Sequence, residues 1–172
     1  MFELKRISTA AIPRAIDKAE RYRLLNEPEE AESICHDVLE VDAGNQEVLV
    51  MLLLAITDQF GRSPAVSAGD ATRVLQKLEG GYERSYYAGV IAERWGKALV
   101  RRGAHSSAAS GFFAEAMDCY SRAMNSSPAG NDDAILRWNA CVRYLERNPD
   151  LRSETEDEAS ESGFPDGAPA RV

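Results

Sequence analysis

The sequence predicts an all-α fold built from paired helices. Three observations carry this. Apolar residues recur at helical spacing in seven separate stretches, and the alternation expected of strands is nearly absent. Short breaks divide the stretches: NEP (26–28), DAGN (42–45), EGG (79–81) and SSPAGND (126–132). Finally, the segment AEAMDCYSRAMNSSP (114–128) sets Ala116, Tyr120, Ala123 and Pro128 at offsets of four, three and five. A helix wedged between two neighbours needs small residues where backbones approach and a large one to fill the gap, and a proline past its last turn ends it.

The elements follow in order. Ser8 or Thr9 caps a first helix reaching about Asn26, with Pro13 accommodated in its first turn. Ile12, Ile16, Ala19 and Tyr22 then share one face. A second helix over about 29–42 carries Ala31, Ile34, Cys35, Val38 and Leu39 on one stripe. The third, from about Gln46 to Phe60, contains the apolar run VLVMLLLAI (48–56). Nine residues are too few for a bilayer, which takes about 20, so the run predicts a helix buried on most sides. GRSPAVSAG (61–69) is a loop, and Asp70 caps a short fourth helix, ATRVLQKL (71–78). A fifth helix spans about Tyr82 to Arg102, GAHSSAAS (103–110) turns, and a sixth spans about Ser110 to Asn125. Asp132 or Asp133 caps a seventh, AILRWNACVRYLER (134–147), which Asn148 and Pro149 end. Residues 150–172 hold Asp150, Glu154, Glu156, Asp157, Glu158, Glu161 and Asp166 against Arg152 and Arg171, with few large apolar groups. Such a composition predicts an acidic, disordered tail over 149–172.

The spacing A-x3-[FY]-x2-A-x4-P in 114–128 resembles the second helix of the tetratricopeptide repeat. Ala31, Cys35, Val38 and Ala43 repeat the offsets, and Ala71, Leu75 and Leu78 follow them in part. Upstream of the first copy, Ala19 and Tyr22 fit first-helix positions, whereas Ala15 and Lys18 do not. The anchors Ala31, Ala71 and Ala116 lie 40 and 45 residues apart, longer than the repeat's period of about 34; the 61–69 loop and the long fifth helix take up the excess. No copy carries the full W-x2-L-G-x2-Y first helix, and Trp95 and Trp138 stand in shifted places. The resemblance covers about 9–148 as three degenerate repeats and a cap. It implies an α-α superhelix, a TPR-like solenoid of about three helical hairpins plus a C-terminal capping helix. The family's concave face, lined by the first helix of each pair, holds peptides or partner helices. Its groove positions fall on Ile16, Glu20, Arg23 and Leu24 in the first helix and on Glu47, Val50, Leu54 and Asp58 in the third. Ile16 and Glu20 stand where a subset of the family uses Lys and Asn to clamp a C-terminal carboxylate, which disfavours that mode here.

Charge narrows the partners. A net charge of −8 disfavours nucleic acid and anionic membrane, both of which attract positive surface. The fifth helix stands out as basic, with Arg94, Lys97 and Arg101 at i, i+3 and i+7 and with Arg84 and Arg102 nearby. These are candidates for an acidic protein or peptide partner, or for the chain's own tail in a salt-sensitive contact. Catalytic signals are thin. His36 and His105 are the only histidines, and Cys35, Cys119 and Cys141 form no CxxC or metal spacing. Nucleotide-binding, zinc-protease and nucleophile-elbow motifs are absent from the sequence. The reading is a non-catalytic protein-interaction module, a scaffold or adapter with no cofactor and no metal. The alternatives are a self-associating structural protein or an enzyme with a cryptic site near His36 or His105. Three cysteines without a disulfide framework, and a start lacking an apolar signal segment, predict a cytoplasmic protein.

Overall fold

The computed structural model describes residues 2–152. Within them the chain is all-helical: α1 (Ile12–Leu24), α2 (Pro28–Leu39), α3 (Gln46–Asp58), α4 (Ala68–Leu75), α5 (Gly81–Arg101), α6 (Ser106–Met124) and α7 (Asp133–Arg147). Short 3-10 turns, Thr9–Ala11 and Pro149–Leu151, flank the array. Each helix packs on its sequence neighbours, and α1 also meets α3, as α3 meets α5. Among the described residues no helix is long and apolar enough to cross a membrane.

Local chemistry sets the joints. The break between α1 and α2 is a tight C-cap: Asn26 takes the left-handed conformation, φ 63°. Its N–H donates to the Arg23 carbonyl and that of Glu27 to the Tyr22 carbonyl at 2.9 Å, the paired bonds that close a helix end. Pro28 then opens α2 at a position where the helix needs no N–H. Asn45, expected only as part of a stop, also starts α3: its Oδ1 accepts from the Val48 N–H at 3.1 Å. The start of α4 falls earlier than expected. Ser67 is the N-cap, and Asp70, three residues on, accepts from the Ser67 N–H and hydroxyl at 2.8 and 2.7 Å. Likewise α6 begins at Ser106 rather than about Ser110, because Ala109 is already packed. The first turn of α7 is satisfied by Asn131, whose Oδ1 accepts from the Asp133 N–H, and not by Asp132 or Asp133.

Two cores result. The first joins α1 to α4, together with Ile91 and Ala98 of α5, around α3, from which Val48, Leu49, Leu52, Leu53, Ala55 and Ile56 are all buried, as the run 48–56 predicts. The second joins α5, α6 and α7 around Phe113, Tyr120 and Cys141. Leu54 and Tyr87 touch both. The segment 114–128 is explained here. Ala116, Tyr120 and Ala123 are fully buried, and the Tyr120 ring lies over Gly89 of α5, where a Cβ would come within 2.6 Å of it. The most extensive helix pair among the described residues, α5 with α6, is built on that close approach. Leu151 is buried against the second core, so ordered packing reaches past Pro149. The rest of the acidic tail, 153–172, lies outside the described residues.

Candidate functional site

The contacts of α1 with α3 and of α3 with α5 create a face shared by odd-numbered helices. Between α1 and α3 it opens into a cleft of about 390 Å³ lined by Glu20, Arg23, Gln46, Glu47, Val50, Met51 and Leu54. Glu20, Arg23, Glu47, Val50 and Leu54 are thus brought together. Leu24 lies outside the lining and is 81% exposed. Ile16 packs against the first core.

Asp58, at the end of α3, ties three helices. Its Oδ2 accepts from Arg23 Nε at 2.9 Å, and its Oδ1 accepts from Arg94 Nη1 at 2.6 Å. Arg94 Nη1 also reaches the Thr57 hydroxyl and the Leu54 carbonyl. Burial lowers the Arg94 pKa, with the Asp58 charge opposing it.

The fifth-helix cations are held separately. Arg94 points to α3, whereas Arg101 donates to the Phe60 carbonyl at 3.2 Å. Lys97 pairs with Glu93 at 2.6 Å and sits 5.1 Å from the centre of the Tyr144 ring. Glu93, absent from the residues the sequence singles out, is fully buried. It accepts from the Tyr120 hydroxyl at 2.7 Å and from Arg137 of α7 at 3.4 Å. Burial works to raise its pKa, but the Lys97 and Tyr120 hydrogen bonds and the Arg137 charge outweigh it, and the net shift is downward. One signal in the sequence marks this position: Gly89, Glu93 and Gly96 fall on one helical face, and small residues on both sides of a charge show that face to be close-packed.

No protein-family model, curated protein or solved structure matches this chain. Chemistry must therefore come from the groups themselves. All three cysteines are buried, and burial pushes the Cys35 and Cys141 thiols up to about 12, far from the thiolate a nucleophile needs. His36 is exposed beside Glu32 on α2, and His105 precedes α6. Among the described residues no cluster of His, Cys, Asp and Glu is arranged to hold a metal. A larger cleft, about 610 Å³, lies between α2 and α4 over Leu52 and Ile56, rimmed by Glu32, His36, Asp70, Arg73 and Lys77. Its rim mixes both signs of charge without a convergent set. Both clefts join apolar residues to charged neighbours; the odd-helix cleft differs in that one of these, Arg23, is fixed by an ion pair to another helix, at Asp58 of α3.

Proposed function

We propose that this chain is a protein-interaction module, a TPR-like helical array that holds a peptide or partner helix in the cleft between α1 and α3. The observation that supports this reading is the cleft's make-up. Val50, Met51 and Leu54 offer an apolar strip, and Glu20, Glu47 and Arg23 border it with unlike charges. An apolar strip with a polar rim is the anatomy of a peptide-binding groove. The Asp58 bridge holds α1, α3 and α5 in register, so the groove is set before a ligand arrives, which lowers the ordering cost of binding. The function is a scaffold or adapter, without catalysis, in the cytoplasm.

Selection of a displayed random peptide library on the full chain tests this. Enriched peptides should bind with micromolar affinity, and Val50→Lys or Glu47→Lys should weaken them at least about tenfold, or roughly 1.4 kcal/mol. Failure to enrich any sequence, or binding indifferent to both substitutions, overturns the reading.

A second reading, self-association, is favoured by one observation. Large apolar side chains are exposed at both ends of the array, Leu24 and Leu25 on the α1 side and Ile135 and Leu136 on α7. Light scattering across a hundredfold concentration range separates the two: a mass that stays monomeric removes the second reading.

A further inference from the structure

The outer side of α1 presents cations without an acidic partner among the described residues, the Lys18 ammonium resting 5.7 Å from the centre of the Tyr22 ring. Arg14, Lys18 and Arg21 stand at i, i+4 and i+7, so they share one helical face. All three are exposed, and none makes an ion pair among the described residues. With Asp17, Tyr22 and Leu25 they line a cleft of about 580 Å³. The stripe runs into apolar surface, for Leu25 is 61% exposed and Leu24 81%. Among the helices, α1 is first in the array and packs on α2 and α3, so this side faces solvent.

The opposite end of the chain carries the complement. Residues 153–172 hold Glu154, Glu156, Asp157, Glu158, Glu161 and Asp166 against Arg171, with a lone aromatic, Phe164, three residues after the last glutamate. A run of carboxylates followed by an aromatic matches a run of cations followed by two leucines. Geometry favours delivery from another molecule. Leu151 is anchored against α6 and α7, so the acidic run through Glu161 extends at most about 35 Å from it. Glu154, three residues past Leu151, extends only about 10 Å, far short of α1, which lies past α5 and α3 at about 8–10 Å per helix, so the run cannot lie whole along the α1 of its own chain.

We propose that the acidic tail of a second copy docks on the outer face of α1, its carboxylates on Arg14, Lys18 and Arg21 and Phe164 against Leu24 and Leu25. The contact is head-to-tail and would chain molecules rather than close a dimer. Exposed ion pairs contribute little singly and are screened by salt, so the contact is weak and regulated by ionic strength. It uses the outer side of α1 and not the α1/α3 cleft, so its failure leaves the peptide-binding reading intact.

The test uses the full chain in two populations. One carries Ser160→Cys with a nitroxide on the new thiol, the native cysteines being buried; the other is 15N-labelled and carries no nitroxide. In the mixture at low salt, amide signals of Arg14–Leu25 should lose at least half their intensity and regain it in 0.5 M NaCl. The exposed triple substitution Arg14→Gln, Lys18→Gln, Arg21→Gln should abolish the loss while leaving the helical circular dichroism unchanged. Unaffected α1 signals, broadening that survives the triple substitution, or broadening seen only when label and isotope share one chain would each overturn the proposal. So would α1-dependent binding to phosphatidylserine vesicles in place of tail contact, which would make the stripe a membrane surface.

Discussion

The first four helices and the last three bury their cores by different means. Around α3 the core is mainly aliphatic, with Phe60 its one fully buried aromatic among the described residues, and its buried polar groups, Thr57 and Gln59, are uncharged, while the Asp58 carboxylate stays at the edge between Arg23 and Arg94. Around α6 the core is aromatic and encloses a fully buried carboxylate, Glu93, held by Lys97, Arg137 and Tyr120. An aliphatic core loses stability when volume is removed. A core with a buried charge loses it when a partner is removed. The two halves should therefore fail under different substitutions and at different pH.

The largest effect is expected from Glu93→Ala. It strands Lys97, Arg137 and the Tyr120 hydroxyl, and breaking such a buried pair costs about 3–5 kcal/mol. Urea unfolding followed by far-UV circular dichroism measures it; a loss under about 1 kcal/mol would mean that the network is incidental to α5–α7. Acid should act on the same point. The folded-state pKa of Glu93 is lowered, so its contribution is complete above the ordinary glutamate value and is lost as pH falls through the lowered one. Hydrogen exchange on acidification should open α6 and α7 before α3, and simultaneous opening would argue against the contrast.

Leu53→Ala comes next. Leu53 is fully buried in the aliphatic half, and leucine-to-alanine changes in such cores cost about 2–5 kcal/mol. Its signature is independence from pH: the loss measured by urea at pH 7 should persist at pH 4, whereas that of Glu93→Ala should shrink.

The difference between the halves also decides what is legible in advance. The aliphatic half is legible because periodicity alone places Val48 to Ile56 inside. Helix number and order follow throughout from the same signal. The starts of α4 and α6 are harder to place, because Ser67 and Ser106 look like loop residues until the Asp70 carboxylate and the packing of Ala109 are seen. In the site, Glu20, Arg23, Glu47 and Val50 converge on one cleft. The fifth-helix stripe reads as a free basic surface because Arg94 is paired with a residue 36 positions away and Arg101 with a backbone carbonyl, neither visible in a linear pattern. Glu93 escapes notice for the opposite reason, since a lone glutamate four residues before a lysine is the usual mark of an exposed pair.

Gly89→Ala probes the aromatic half without touching its charges. The added Cβ would stand 2.6 Å from Tyr120 Cε1, and overpacking of this kind costs about 1–3 kcal/mol. Because Tyr120 would be pushed from Glu93, the loss should be non-additive with Tyr120→Phe in a double-mutant cycle. Additive losses would mean that the ring yields without disturbing the carboxylate.

The smallest effect belongs to the joint at Asn45. Its Oδ1 satisfies the Val48 N–H at the start of α3, and removing such a cap costs about 1 kcal/mol. Asn45→Ser keeps an acceptor in place at the helix start without setting a second carboxylate against Asp42, to which the Asn45 amide donates at 2.9 Å, so it should recover most of what Asn45→Ala loses. The pair separates capping from packing, because neither substitution alters the apolar surface of the core. Hydrogen exchange should show the alanine loss confined to the first turn of α3. A loss spread over the whole of α3 and into α2 would mean that the aliphatic half unfolds as one unit from this joint, and that its stability depends on how the helix begins as well as on what it buries.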